Sequence, residues 1–227
     1  MKRFIALIII GVLTGALLFS GCKKKEELAL QDVTEAKKGL TIDLTVYGVE
    51  VEYAGNVAGT FLEDGSDEKL NNVFALKLKN ITDNAIQYGE IILTEGDQTY
   101  NFTISTLPPG ESLICEEMNR KAYKGKGESL EGKMQNVAWF KGALPLCEDV
   151  FEITGNERSI LIKNISDKDV TGQVCVYYKY YDVDRYLGGI TYRATLPTGI
   201  KAGATQVVSA MHYSKEGSKI LFVTYVP

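Results

Sequence analysis

A short motif that is written twice constrains the fold of this chain more than any other feature. The sequence KNITD at residues 79–83 recurs as KNISD at residues 163–167, which is 84 residues further on. An alternating run leads into each copy, "VFALKLKN" in the first and "RSILIKN" in the second. A period of two is typical of half-buried strands. We therefore predict that the chain holds two copies of one strand-rich unit.

Both copies continue in the same way after the motif. Short runs of β-branched and aromatic residues alternate with turn residues, and helical periodicity is almost absent. This pattern predicts an all-β protein made of two tandem immunoglobulin-like antiparallel β-sandwiches, each with about six or seven strands. A boundary near Gly142 gives a first domain over residues 40–141 and a second domain over residues 142–227.

The repeated motif itself is predicted to close a turn between paired strands. Asn and Asp side chains bond to nearby backbone and tolerate unusual φ angles. We expect the isoleucine that follows the asparagine, Ile81 or Ile165, to be a buried plug beneath the turn. The motif also contains N-x-[ST] sequons at Asn80 and Asn164, with another at Asn101. We interpret the motif as structural and not as a glycosylation site.

The first residues resemble the signal of bacterial lipoproteins. Two basic residues precede an apolar run over residues 4–18, and "LFSGC" ends at Cys22. The resemblance implies that a signal peptide, residues 1–21, is removed and that Cys22 then carries a lipid such as palmitate. An uncleaved signal anchor is the alternative, because the run from Phe4 to Gly21 has the minimum length of a membrane span. Both interpretations predict that the chain is held at the extracytoplasmic face of the cell membrane.

The charge of the chain bears on its partners. Residues 22–39 begin with three lysines after Cys22 and are predicted to form a solvated tether. The whole chain has 25 Lys and Arg against 29 Asp and Glu. Nucleic-acid binding needs a concentrated basic face, so no nucleic-acid partner is predicted.

The second copy carries a family resemblance. Tyr178, Tyr180, Tyr181 and Asp182 are followed by "LGG" and "KAG". This arrangement resembles the FxLYD module, an immunoglobulin-like domain of exported bacterial lipoproteins, with Tyr where that family has Phe and Leu. The whole chain is similar to lipoproteins of anaerobic Gram-positive bacteria that have no assigned reaction. The resemblance implies a fold and a location, and it implies no activity.

Tyrosines are concentrated in the same strand and in the loop after it. Because neighbouring strand residues face opposite sides, Tyr178 and Tyr180 are predicted to share one face of the sheet. The opposite face can offer rigid aromatic rings to a sugar or a protein. The predicted binding surface consists of Tyr177, Tyr181, Asp182, Asp184, Arg185 and Tyr186. The alternative is that these aromatic residues only stabilise the sheet by cross-strand pairing.

Three cysteines other than Cys22 cannot all pair with one another. We interpret Cys115, Cys147 and Cys175 as small hydrophobic residues. A Cys115–Cys147 bridge is the alternative, and it requires Cα atoms within about 7 Å.

No metal or cofactor is predicted. A single histidine and the absence of a C-x-x-C motif argue against structural zinc. The acidic loop with Glu63, Asp64, Asp67 and Glu68 does not have the spacing of an EF-hand loop, and we interpret it as a solvated surface loop.

Catalytic patterns are weak. A cysteine, a histidine and an arginine can run transpeptidation, and the candidates are Cys175, His212 and Arg193. The "TLxTC" signature of such enzymes and a G-x-S-x-G elbow are both missing from the sequence. We therefore expect a lipid-anchored binding or interaction module whose partner is an envelope protein or a cell-wall glycan, and not an enzyme. The alternatives are a Cys/His-dependent envelope enzyme and a passive structural spacer.

Overall fold

The structure is a computed structural model that describes residues 29–30, 42–60, 69–125 and 130–227. The predicted signal peptide, the predicted lipid site at Cys22 and the acidic loop from Glu63 to Glu68 lie outside these ranges. Most of the predicted tether also lies outside them.

The described residues form thirteen strands and one short 3-10 helix, Thr45–Tyr47, with no α-helix. The all-β class is therefore confirmed. No helix long and apolar enough to cross a membrane occurs in this part of the chain. The strands, in chain order, are β1 (Ala29–Leu30), β2 (Val49–Thr60), β3 (Lys69–Asn80), β4 (Ile86–Glu95), β5 (Gln98–Leu107), β6 (Ser112–Glu116), β7 (Glu131–Trp139), β8 (Phe151–Asn156), β9 (Ser159–Asn164), β10 (Val174–Asp182), β11 (Arg185–Leu196), β12 (Thr205–Ser209) and β13 (Ser218–Tyr225).

Six strands in each half of the chain follow one topology. In the first half, β2-β3-β6 and β5-β4-β7 form the two layers, and in the second half β8-β9-β12 and β11-β10-β13 do. Each layer thus joins the first, second and fifth strands of the half, or the fourth, third and sixth. Each pair of layers encloses a separate core, centred on residues such as Phe74 and Phe102 in the first half and Ile162 and Val176 in the second. The repeat seen in the sequence therefore extends to strand order and layering.

The two halves also share one sheet. Strands β1-β2-β3-β6-β11-β10-β13 form a continuous seven-stranded sheet, in which β6 of the first half pairs with β11 of the second. This pair is parallel and joins Arg185–Leu187 to Ser112–Ile114. The core of the first half includes Tyr186 and Phe222 from the second. The expected boundary residue Gly142 lies in the connection between β7 and β8, beside this junction.

The turn motif is built differently from our prediction. Strands β3 and β4 belong to different sheets, as do β9 and β10, so each motif crosses between layers and does not close a hairpin. The prediction that the isoleucine is buried is also wrong, because Ile81 and Ile165 are each 47% exposed. Asn80 and Asn164 are the buried residues, at 0% exposed. An asparagine fits this corner better because its carboxamide can bond to backbone groups of two segments at once.

Part of the predicted tether belongs to the fold. Ala29 and Leu30 pair antiparallel with Ala58 and Val57 and form the edge strand next to β2. The prediction of a solvated spacer over residues 22–39 is therefore wrong for these two residues.

Candidate functional site

The predicted tyrosine surface faces the junction between the halves. The ring of Tyr177 stacks on that of Phe222, with centroids 4.1 Å apart and planes at 7°. Tyr181 meets Tyr186 edge to face at 5.0 Å. Both Tyr177 and Tyr181 pack against the core of the first half. Both rings thus pair across strands of the second half and also pack against the first half.

The other two strand tyrosines follow the predicted alternation. Tyr178 stacks on Tyr192 at 5.6 Å, and Tyr180 meets the same ring edge to face at 5.8 Å. Tyr178 belongs to the core of the second half. Burial raises the pKa of its hydroxyl to about 12.

The charged residues of the predicted surface bind one another and the first half. Asp184 receives a hydrogen bond from Lys77 Nζ at 3.1 Å, and Lys77 also pairs with Glu52 at 3.2 Å. Arg185 pairs with Asp182 at 3.5 Å and with Asp184 at 3.3 Å. The hydrogen bond from Lys77 holds the pKa of Asp184 below its usual value. This loop thus links β10 and β11 to β3, and its role as a ligand surface stays a prediction.

Tyr186 has a different place from the rest of the predicted set. It is 5% exposed and lies in the parallel pair opposite Leu113. Burial, with smaller effects from the charges of Glu111 and Tyr181, raises the pKa of its hydroxyl well above the usual value. Tyr186 is also the one predicted residue that lines a cleft between the halves.

This cleft has a volume of about 400 Å³ and receives walls from both halves. The first half contributes the turn Asp83–Ala85 and the prolines Pro108 and Pro109. The second half contributes Tyr186, with Ile220 and Leu221 of β13, and the connection between the halves contributes residues 142–144. Binding sites occur preferentially in clefts of this kind between domains. We name these residues the junction cleft.

Asn80 of the repeated motif fixes one wall of the junction cleft. Its Nδ2 donates to the carbonyl oxygens of Asn84 at 2.8 Å and Leu107 at 3.0 Å. The backbone carbonyl oxygen of Asn80 also accepts a hydrogen bond from the backbone N–H of Gly110 at 2.9 Å. One buried side chain therefore holds together the two loops that form the first half's share of the cleft.

The polar groups of the junction cleft come from the turn. Asp83 and Asn84 are exposed, and neither side chain forms a hydrogen bond or ion pair with another described residue. Leu144, Ile220 and the two prolines supply apolar surface. No Lys, Arg or His is among the described residues that line the cleft. The cleft therefore offers a carboxylate and a carboxamide beside an apolar wall.

Sequence reasoning missed Asp83, Asn84 and the prolines as site residues. We predicted a turn at the motif, but nothing in the local sequence placed Pro108 and Pro109 beside it. The two segments meet because the buried side chain of Asn80 bonds to both of them. We had expected Ile81 to be the buried residue instead. A comparison of the hydrogen-bonding capacity of asparagine with that of isoleucine was the signal that pointed to the right residue.

The structure does not bring His212 to Cys175, although Arg193 lies opposite Tyr177 on the face of β10 and β11 that holds Cys175. His212 stacks on Tyr192 at 4.6 Å, on the face of β10 and β11 that holds Tyr178. Cys175 is three residues from Tyr178 along β10, so its side chain lies on the opposite face of the sheet. The Cys175 thiol lies 3.7 Å from the hydroxyl of Thr195 instead. The specific Cys175–His212 pair is therefore wrong.

All three described cysteines are free thiols. Cys115 and Cys175 are buried, as expected of small hydrophobic residues, and Cys147 is partly buried. Burial, and to a smaller extent Asp149, raises the pKa of Cys147. The Cys115–Cys147 bridge is not formed.

Within the described ranges, no group of three or more His, Cys, Asp or Glu side chains is placed to hold a metal ion. The chain matches no protein-family model, and no match was found among curated proteins.

Proposed function

We propose that the protein is a lipid-anchored binding protein of the extracytoplasmic membrane face and that it holds its ligand in the junction cleft. The observation that carries the proposal is the cleft itself, about 400 Å³ in volume, with walls from both halves. Ligand sites are typically preformed clefts of 300–1,000 Å³, mostly apolar with a few placed polar groups. The partner is an envelope protein or a cell-wall glycan that presents a small group to the cleft.

The membrane anchor rests on the sequence. The apolar run of residues 4–18 ends close to a small-small-cysteine sequence at Cys22, which is the arrangement expected of a lipidated first residue. An anchor keeps the two halves near the membrane surface, where envelope ligands are concentrated.

The enzyme alternative has less support. The specific pair on which it was based, Cys175 and His212, lies on opposite faces of one sheet. A passive spacer is the remaining alternative, and it makes no use of the cleft.

Site-specific photo-crosslinking in intact cells tests the proposal. A photoreactive residue at position 84, on the rim of the cleft, is expected to give a discrete adduct. The change Ala143→Trp fills the cleft from an exposed position and is expected to abolish that adduct. The matched control is position 168, because Lys168 has the place of Asn84 in the second motif and lines no part of the cleft. Equal adducts at both positions, or none at position 84, would favour the spacer.

A further inference from the structure

The junction cleft has a marked charge asymmetry. Its titratable side chains are the carboxylate of Asp83 and the phenol of Tyr186, and Glu111 is close enough to act on Tyr186. No basic side chain lines the cleft among the described residues. A cleft with charges of one sign and low-dielectric walls concentrates ligands of the opposite charge.

Asp83 is not needed to hold its own turn. The side-chain oxygen of Asn80 accepts hydrogen bonds from the backbone and hydroxyl of Thr82 at 3.0 and 2.8 Å. The carbonyl oxygen of Asn84, 3.0 Å from the Thr82 hydroxyl, is a second acceptor for the same proton. These bonds account for the turn, and the Asp83 carboxylate remains available to a ligand.

The second motif forms the same kind of turn away from the cleft. Asn164 and Ser166 repeat these hydrogen bonds at 3.0, 2.7 and 3.1 Å. Asp167 therefore has the place of Asp83 in a turn of the same construction. It lines no part of the junction cleft, which makes it a matched control within the same molecule.

The aromatic wall beside the cleft already binds an ammonium group. Lys219 Nζ lies 3.2 Å from the ring centroid of Tyr181 and 5.8 Å from that of Tyr186. Ammonium groups are attracted to aromatic faces at such distances. Asp83 forms no ion pair with another described residue. Lys219 lies on the Tyr181 side of this wall and does not line the cleft.

We propose that the junction cleft binds a primary ammonium group on an aliphatic stem, with Asp83 and Asn84 as acceptors and Leu144 and Ile220 against the stem. This inference rests on the proposed function, because it assigns the chemical class of the ligand at the same site. A lysine side chain of a peptide and a free aliphatic diamine share this chemistry. The phenol of Tyr186, which burial keeps protonated, adds a neutral aromatic wall.

The test uses three probes with the chain from Lys23 onward, followed by NMR chemical shifts. The probes are the blocked tripeptide Ala-Lys-Ala, the same peptide with norleucine in place of lysine, and cadaverine. We expect the lysine peptide to bind about fivefold more tightly than the norleucine peptide, as one partly exposed charge pair provides. This difference is expected to shrink at high salt.

The variant Asp83→Asn is expected to remove most of the fivefold difference, and Asp167→Asn is expected to keep it. Binding of cadaverine as tight as that of the lysine peptide assigns the site to free amines, whereas weaker binding of cadaverine assigns it to peptides. Equal binding of the lysine and norleucine peptides, or equal effects of the two variants, overturns the inference. If the photo-adduct at position 84 persists in that case, the ammonium assignment alone has failed. Loss of the photo-adduct together with the preference for the lysine peptide means that the proposed function has failed as well.

Discussion

Asn80 and Asn164 are fully buried polar residues whose four polar contacts repeat almost atom for atom. Asn164 Nδ2 donates to Lys168 at 2.7 Å and to Ile200 at 3.1 Å, as Asn80 does to Asn84 and Leu107. A buried carboxamide is tolerated when its donors and acceptor are satisfied. Each asparagine therefore holds together two backbone segments of its half.

The change Asn80→Ala is expected to lower the free energy of unfolding by about 3 kcal/mol, because it leaves buried backbone groups without partners. Asn84→Ala is the matched control, since that side chain is exposed in the same turn and forms no hydrogen bond with a described residue. We expect it to change stability by less than about 0.5 kcal/mol. Urea unfolding measures the stability of both variants. Similar losses of stability would mean that the Asn80 side chain does not hold the two segments together.

At this scale the sequence predicted the position of the turn but not its construction. The repeated Asn and Asp identified a turn correctly through their local hydrogen bonding. The alternation of residues 73–80 does not show which sheet the following strand will join. A hairpin and a crossing between layers therefore have the same local sequence pattern. The burial of Asn80 and the exposure of Ile81 follow from that crossing.

Strand β11 is the element that joins the halves, and an irregularity gives it this role. Tyr178 pairs with Tyr192 but Tyr180 pairs with Leu187, so residues 188–191 stand opposite Lys179 alone. Lys179 is fully buried, and its Nζ donates to the carbonyl oxygen of Gly188 at 2.9 Å. The extra residues bulge toward β5. Bulges commonly bend the strand that carries them.

The bulge approaches β5 closely at Gly189. Ser105 Oγ donates to the Gly189 carbonyl oxygen and lies 2.8 Å from the hydroxyl of Thr191. A Cβ at position 189 would lie 2.5 Å from the backbone oxygen of Thr103. Only glycine allows this approach.

Gly189→Ala is therefore expected to lower the free energy of unfolding by about 1–3 kcal/mol, since the rigid backbone of β5 must move. The control is Gly89→Ala, another strand glycine, where the new Cβ would meet the flexible end of Met134 at 2.9 Å. We expect a clearly smaller loss there, because that side chain can move aside. A thermal or urea titration in which the two variants match would rule out a tight β11–β5 contact.

The aromatic strand shows what could be predicted for an element. Alternation correctly separated Tyr177 and Tyr181 from Tyr178 and Tyr180. It did not show that both faces of β10 are covered, because the second cover comes from the other half of the chain. The "LGG" sequence was recognised only as part of a resemblance, and its physical role is the bulge.

The described part of the molecule holds two six-strand units of the same topology, joined through one sheet. The duplication was predictable, because the motif and its flanking strands are written in the sequence. The parallel pairing of β6 with β11 was not, because contacts between distant segments leave no local periodicity. The junction cleft depends on that pairing, so its location could not be predicted either.

Fusion of the sheet predicts that the halves unfold together. Two sandwiches on a flexible linker would respond separately to a change in one of them. Halves that share a sheet, with side chains of one half packed in the core of the other, respond together. A fixed cleft requires this coupling, because independent halves would not hold its walls in place.

Native-state hydrogen exchange of Asn164→Ala tests this coupling most directly. The substitution lies in the second half, and we expect it to reduce the opening free energy of amides in β6 and β3 of the first half as much as that of amides in β10. Protection of the first half that is unchanged while β8–β13 lose theirs would contradict the account, because the two halves would then be separate bodies without a fixed cleft between them.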